Sequence, residues 1–246
     1  MNSYKTFSTI YDSLMKKDLD YQKICDYIEN IFTLHGKNPD MVVELASGTG
    51  NLTIPLAERG YDMIGIDKSE EMLSVAREKV PTESDILFLN QDMTKLDLYG
   101  TADAFLCMID GLNYCLDQNA IYKMIKKIKT CFLNPGGIIV FDISSEYKLS
   151  RIIGDNTFIH DEEDVFYSWE NKYHKKTKIS EMYLNFFVKD KSGYKRFSEH
   201  HLQKAHSAET IKAIFLKAGF KKVTLYSDFT FKKPTKKSER IILVAE

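Results

Sequence analysis

The sequence predicts an α/β fold, a Rossmann-like, mostly parallel sheet of seven strands with helices on both faces, into which a small antiparallel sheet is inserted. Three observations predict it. The apolar runs MVVELAS, DMIGID, ILFLNQD, ADAFLCMID and GGIIVFDIS alternate with amphipathic stretches, the pattern of successive βαβ units. Between residues 145 and 206 that pattern gives way to aromatic-rich, partly alternating segments, which favour antiparallel strands. A last helical stretch and the runs KKVTLYSDF and SERIILVAE then complete the seven strands.

The elements follow in order. Before Pro39, Tyr21, Ile24, Cys25, Ile28, Ile31 and Phe32 recur at steps of three and four and make one apolar helical stripe, stopped by Gly36 and Pro39. LTIPLAERG reads as a short helix ended by Gly60. Ser69 is placed to cap EEMLSVAREKV, whose acids lie in the first turn and whose Arg77 and Lys79 lie near the end, as the helix dipole prefers. A helix of about four turns is expected over residues 117–133, and a turn at Asn134, Pro135, Gly136 and Gly137 before the fifth strand. FYSWENKYHK, KISEMYLNFFVKD and YKRFSEHHLQKA form the inserted sheet, with a turn at Lys191, Ser192 and Gly193. Ser207 caps the last helix, whose Ile211, Ile214, Phe215 and Ala218 share a face. The expected organisation is a core of residues 1–144 and 207–246, with residues 145–206 as a β-rich cap over an acceptor site.

Composition narrows the function. A 43% hydrophobic and 28% charged chain is ordinary for a soluble protein, and no apolar stretch approaches the roughly 20 residues that span a bilayer. The N-terminal MNSYKTFSTIYDSLMKKD has no apolar h-region, so a cytoplasmic location is expected, as monomer or homodimer. Cys25, Cys107, Cys115 and Cys131 show no CxxC pairing and read as buried free thiols, and no metal site is expected. A net charge of -1 gives no global attraction to nucleic acid.

The chemistry starts at VVELASGTGN, residues 42–51. Paired glycines after a buried strand shape a turn for close approach to a ligand, and open α/β sheets bind ligands there. Asp67 ends the next strand, about 20 residues on, where a carboxylate accepts hydrogen bonds from ribose hydroxyls. The third glycine of a dinucleotide fingerprint is absent, and Glu44 stands before the loop, where a carboxylate repels pyrophosphate and favours an ammonium or sulfonium group. A cationic, phosphate-free nucleoside fits that combination.

ELASGTG, followed by GIDKS and NQDM, resembles the motif series of class I S-adenosylmethionine-dependent methyltransferases over about residues 40 to 145, and the last forty residues resemble that family's final helix and β-hairpin. The resemblance implies S-adenosyl-L-methionine as cofactor. Gly48 and Gly50 would underlie its methionine part, Asp67 would take the ribose hydroxyls, and Lys68 would flank the adenine. Gln91, Asp92 and Met93 would contact the adenine, and Met108 and Ile109 would lie beside the transferred methyl. Ala46 stands where many members have the first glycine. The segment FSTIYDSLM resembles an aromatic lid, with Tyr4 and Tyr11 as its candidates.

For the acceptor side, Asp110, Asn113 and Tyr114 follow the fourth strand, and Asp110, Tyr114 and the cap residue His174 are the catalytic candidates; His200, His201 and His206 lie in or near the cap as well. No NPPY-type signature for exocyclic amines of nucleobases or glutamine is present in the loop. The expected activity is in-line methyl transfer to a small-molecule acceptor. The alternative is a tRNA or rRNA acceptor, kept by the lysine runs 172–178 and 232–237; an NAD-linked oxidoreductase and a non-catalytic binding protein rank lower.

Overall fold

The computed structural model of the chain describes Asp12 and residues 19–81, 83–191 and 193–246. Helix α1 (Tyr21–Leu34) starts at Asp20, whose side chain accepts from the Lys23 amide at 3.2 Å, and it buries Ile24, Cys25, Ile28, Ile31 and Phe32 on one face. The chain then enters β1 (Met41–Leu45), α2 (Thr53–Glu58), β2 (Asp62–Asp67), α3 (Glu70–Lys79), β3 (Leu87–Asn90) and β4 (Ala102–Cys107). Ser69 caps α3 as its sequence position suggests, accepting from the Met72 amide at 3.2 Å.

Helix α4 (Gln118–Lys127) is shorter than the sequence pattern suggests, because it relaxes into a π turn over Ile128–Phe132 before β5 (Leu133–Ser144). The expected turn at residues 134–137 is absorbed into β5, where the pairing with β4 shifts register between Ala102 and Ala104. After a π turn over Lys148–Ile153 come β6 (Thr157–Asp161), β7 (Val165–His174), β8 (Ile179–Asp190) and β9 (Gly193–Lys204). Helix α5 (Ala208–Ala218), capped by Ser207, then leads to β10 (Val223–Ser227) and β11 (Arg240–Ala245).

The main sheet has the order β10-β11-β5-β4-β1-β2-β3, with β11 antiparallel to both of its neighbours and the other pairs parallel. Side chains alternate across it. Val43, Leu45, Phe105 and Phe141 pack with Phe215 on one face, while Val42, Leu106, Val140 and Ile242 pack with Ile28 and Ile31 on the other. Strand order reverses between β1 and β4, so the carboxyl ends of these two strands open a crevice at the switch point.

The second sheet runs β6-β7-β8-β9, antiparallel throughout. On its inner face Tyr167, Phe186 and Phe197 stack in series, with ring centroids 5.3 and 4.9 Å apart, and Met72 of α3 packs against them. These three aromatic side chains therefore serve the sheet's own packing. Three cysteines are buried free thiols as expected, but Cys131 is exposed, since the π turn carries it to the outside.

Candidate functional site

The loop leaving β1 is bent by positive φ at three places, Ala46 (+54°), Gly48 (+55°) and Gly50 (+75°). Alanine tolerates this region poorly, which is why a glycine would be the easier residue at position 46. A Cβ on Gly48 would meet no atom within 4 Å, so that backbone lies open to the crevice. Gly50 is different: a Cβ there would come within 3.2 Å of Ile54 and 3.3 Å of Ala76 and Phe88, so its bareness serves packing against α2, α3 and β3.

Asp67, at the end of β2, accepts from the Gly48 amide at 2.9 Å through Oδ2 and from the Ser69 amide at 2.9 Å through Oδ1. The acid therefore joins the glycine loop to the start of α3 and is itself fixed by both. Lys68 stands beside it. Glu44 lies below the loop, 3% exposed, with the Thr53 hydroxyl donating to its Oε2. Burial, reinforced by the nearby Asp67 charge, pushes its carboxyl up to about 8. At neutral pH Glu44 thus acts more as a hydrogen-bonding group than as the attracting charge expected from its place in the sequence.

At the end of β3, Gln91 turns its amide onto the Asp97 backbone, donating to its carbonyl and accepting from its N–H at 2.9 Å each. Asp92 opens a 3-10 turn, its Oδ1 accepting from the Thr94 amide at 2.8 Å and hydroxyl at 2.7 Å. Burial would raise this carboxyl, but the Thr94 bonds outweigh it and hold it below its ordinary value. Met93 packs partly into the core beside α4, and Met108 is buried in the core beneath α1.

The exit of β4 is the most constrained turn of the crevice. Ile109 and Asp110 both adopt positive φ, +57° and +68°, an uncommon conformation for a β-branched residue. Their amides donate to the two oxygens of the fully buried Asp142 of β5, each at 2.9 Å. Arg240 of β11 donates to Asp142 and lies 2.7 Å from Oδ1 of Asp110, to which the Ser144 hydroxyl also donates at 2.7 Å. Burial pushes Asp142 up, whereas on Asp110 the Arg240 charge overcomes burial and holds the carboxyl down. Neither Asp142 nor Arg240 stands out in the sequence; the only signal is a carboxylate within an otherwise apolar strand.

The turn Gly111–Tyr114 closes this side. Asn113 donates to the Ser144 and Lys204 carbonyls at 3.0 and 2.9 Å, tying the turn to both sheets. Tyr114 reaches His201 of β9, with its hydroxyl 3.4 Å from Nδ1 and the rings edge to face at 5.9 Å. Burial of its hydroxyl end, then the Asp110 charge, push its phenol up to about 12. His174 lies elsewhere: strand alternation puts it on the face opposite His201, where it and His200 contact Glu181 at 2.9 and 3.0 Å. Asp110 and Tyr114 are brought together and His174 is not.

Asp12, which sequence reading did not single out, meets the glycine loop. Its Oδ1 accepts from the Thr49 hydroxyl and, at 2.9 Å, from the Asn51 amide, while Lys79 pairs with its other oxygen. Asp12 thus ties the glycine loop to the end of α3. Tyr4 and Tyr11, the candidates in that segment, lie outside the described residues.

A family profile described as a methyltransferase domain matches residues 42–137, which hold the glycine loop, Asp67, Asp92 and the Asp110 turn. Over 99% of this chain and 96% of its own length, YqeM of Bacillus subtilis (strain 168), a protein named as a methyltransferase, is 34% identical. The crystal structure of an S-adenosylmethionine-dependent methyltransferase from Clostridium acetobutylicum ATCC 824 superposes with a TM-score of 0.89 at 34% identity, covering 100% of this chain and 99% of that one. CalS10 of Micromonospora echinaspora, an amino pentose methyltransferase solved with bound S-adenosylmethionine, shares the fold at 18% identity, with a TM-score of 0.77 over 96% of each chain. With a Rossmann-like crevice of this form and full-length identity of this order, the chain belongs to the class I S-adenosylmethionine-dependent methyltransferases.

Proposed function

We propose that the chain methylates a small molecule held between the strand ends of the main sheet and the inner face of the four-stranded sheet. The observation that carries this reading is the Tyr114–His201 contact, which brings the second sheet against the turn leaving β4 and supports its role as a roof over the crevice. Residues 145–206 are then a cap on a core made of residues 1–144 and 207–246. CalS10, which shares the fold, is named as an amino pentose methyltransferase, an enzyme with a small-molecule acceptor.

The residues present suit the cofactor. The open backbone at Gly48, next to Ala46 and Gly50, would receive its methionine part, and Asp67, already oriented by two amides, would accept from the ribose hydroxyls. Asp92, with Gln91 and Met93 shaping the strand end and Lys68 alongside, would take the adenine amine. Met108 and Glu44 support the floor from the core side. When bound, S-adenosylmethionine supplies an electrophilic methyl and carries the leaving electron pair away on sulfur.

The chain's own contribution is alignment and exclusion of water. Asp110, neutralised by Arg240 and held below the usual carboxylate range, is a poor proton acceptor and works by fixing the strained turn. Tyr114, with its phenol held protonated, offers the acceptor a hydroxyl and a ring edge. The test is an acceptor screen with methyl-labelled cofactor, small metabolites in one arm and bulk tRNA and rRNA in the other. Label in the small-molecule arm alone supports the reading, and label in RNA alone overturns it.

A further inference from the structure

Glu199 of β9 stands two residues from His201 and on the same face of the sheet, opposite Leu184, just as His201 lies opposite Met182. Leu184 packs with the stacked Tyr167, Phe186 and Phe197, so the acid sits beside an apolar wall. It is half-buried, and among the described residues it makes no hydrogen bond or ion pair. Lys195, the cation that shares its face and strand, is taken up by Asp190. Burial alone raises its carboxyl, with no charge to offset it. Its own charge reaches the Tyr114 phenol, as do those of Asp110 and Asp67.

A partly desolvated carboxylate without a partner is unfavourable for folding, and such groups concentrate where a ligand supplies what is missing. The missing group is a cation with hydrogen-bond donors. Asp110 cannot take that part, since Arg240 already satisfies it, and Asp67 is engaged by two amides.

We propose that Glu199 is the specificity-determining residue of the acceptor site and that it selects a small molecule bearing a protonated amino group, seated against Tyr114 and His201. This rests on the small-molecule reading above and gives that acceptor its chemical class. The groups facing the seat are Tyr114 from the turn after β4, His201 from the same strand, and Lys68, whose charge reaches His201 from the loop after β2.

The experiment uses the full chain loaded with S-adenosylhomocysteine. Methylamine, ethanolamine and glucosamine are compared with their neutral counterparts methanol, ethylene glycol and glucose, by ligand-observed NMR, while the Glu199 carboxyl carbon is followed through pH. At least one amine is expected to bind tenfold or more tightly than its neutral counterpart and to draw the Glu199 titration to lower pH. Glu199→Gln should abolish that preference and Glu199→Asp should keep part of it, with S-adenosylhomocysteine affinity equal in all three proteins. Amines binding no better than the neutral compounds, or an amine preference that survives Glu199→Gln, overturns the proposal while leaving the methyltransferase site intact. Failure of the wild type to bind S-adenosylhomocysteine would instead remove the reading beneath it.

Discussion

Arg240 and Asp142 form a buried ion pair at 2.7 Å across β11 and β5, directly behind the turn that leaves β4. The pair does more than neutralise. Asp142 spends its two oxygens on the amides of Ile109 and Asp110, and those amides are presented inward only because both residues adopt positive φ. Arg240, with the Phe229 ring 5.4 Å from its guanidinium, is held by its own surroundings and bridges to Asp110. The shape of the crevice beside Tyr114 thus depends on a residue from the last strand of the chain.

Removing the bridge should therefore be costly. Arg240→Met leaves two carboxylates facing one another with no counter-charge, and breaking a buried pair in this way costs about 3–5 kcal/mol. Urea denaturation should show that loss, and Asp142→Asn in the same background should recover part of it, since the amide oxygen still accepts one backbone N–H. A loss below about 1 kcal/mol would mean that the turn is held by something else.

Asp67 gives a prediction about binding. Asp67→Ala should weaken S-adenosylmethionine by more than tenfold in calorimetric titration, since a charge-assisted hydrogen bond contributes roughly 1.5 to 3 kcal/mol. It should also loosen the Gly48 loop, because the Gly48 and Ser69 amides lose their acceptor together. Unchanged affinity would take Asp67 out of the site.

The alternation of strands and helices, the inserted sheet and the crevice are legible from apolar periodicity and glycine placement, because those patterns are local in sequence. What is not legible comes from distant segments. Asp142 and Arg240 lie 98 residues apart and meet only because β11 pairs antiparallel with β5. His174 and His201 look equivalent as letters in an aromatic stretch, but strand alternation sends them to opposite faces, and parity becomes readable only once the register of β7, β8 and β9 is known. The apolar spacing of α4 continues through the π turn, so the sequence pattern overruns the helix itself.

The glycine loop offers a pair of opposite signs. Ala46→Gly relieves a left-handed alanine whose strain is roughly 1–2 kcal/mol, against an unfolded-state entropy cost of about 0.4–1 kcal/mol, so it should raise stability slightly. Gly50→Ala adds strain at φ +75° and presses a Cβ to 3.2 Å from Ile54, so it should lower stability by about 1–3 kcal/mol. Thermal melts of the two variants beside the wild type decide it; shifts of the same sign would contradict the loop geometry.

Glu44 makes the stability of the chain depend on pH. Its carboxyl is pushed from an ordinary 4.5 up to about 8 by burial first and by the Asp67 charge as well. Between those values the folded chain holds a proton that the unfolded chain has released, so stability contributed by this residue falls as pH rises through that window. Glu44→Gln keeps a neutral side chain that the Thr53 hydroxyl can still donate to, and has no proton to lose. The variant should match the wild type near pH 5 and be more stable than it by a few kcal/mol near pH 8, because each tenfold gain in proton affinity on folding corresponds to about 1.4 kcal/mol. Denaturation midpoints at both pH values test this, and parallel pH profiles for the two proteins would show that Glu44 is ionised in the folded state.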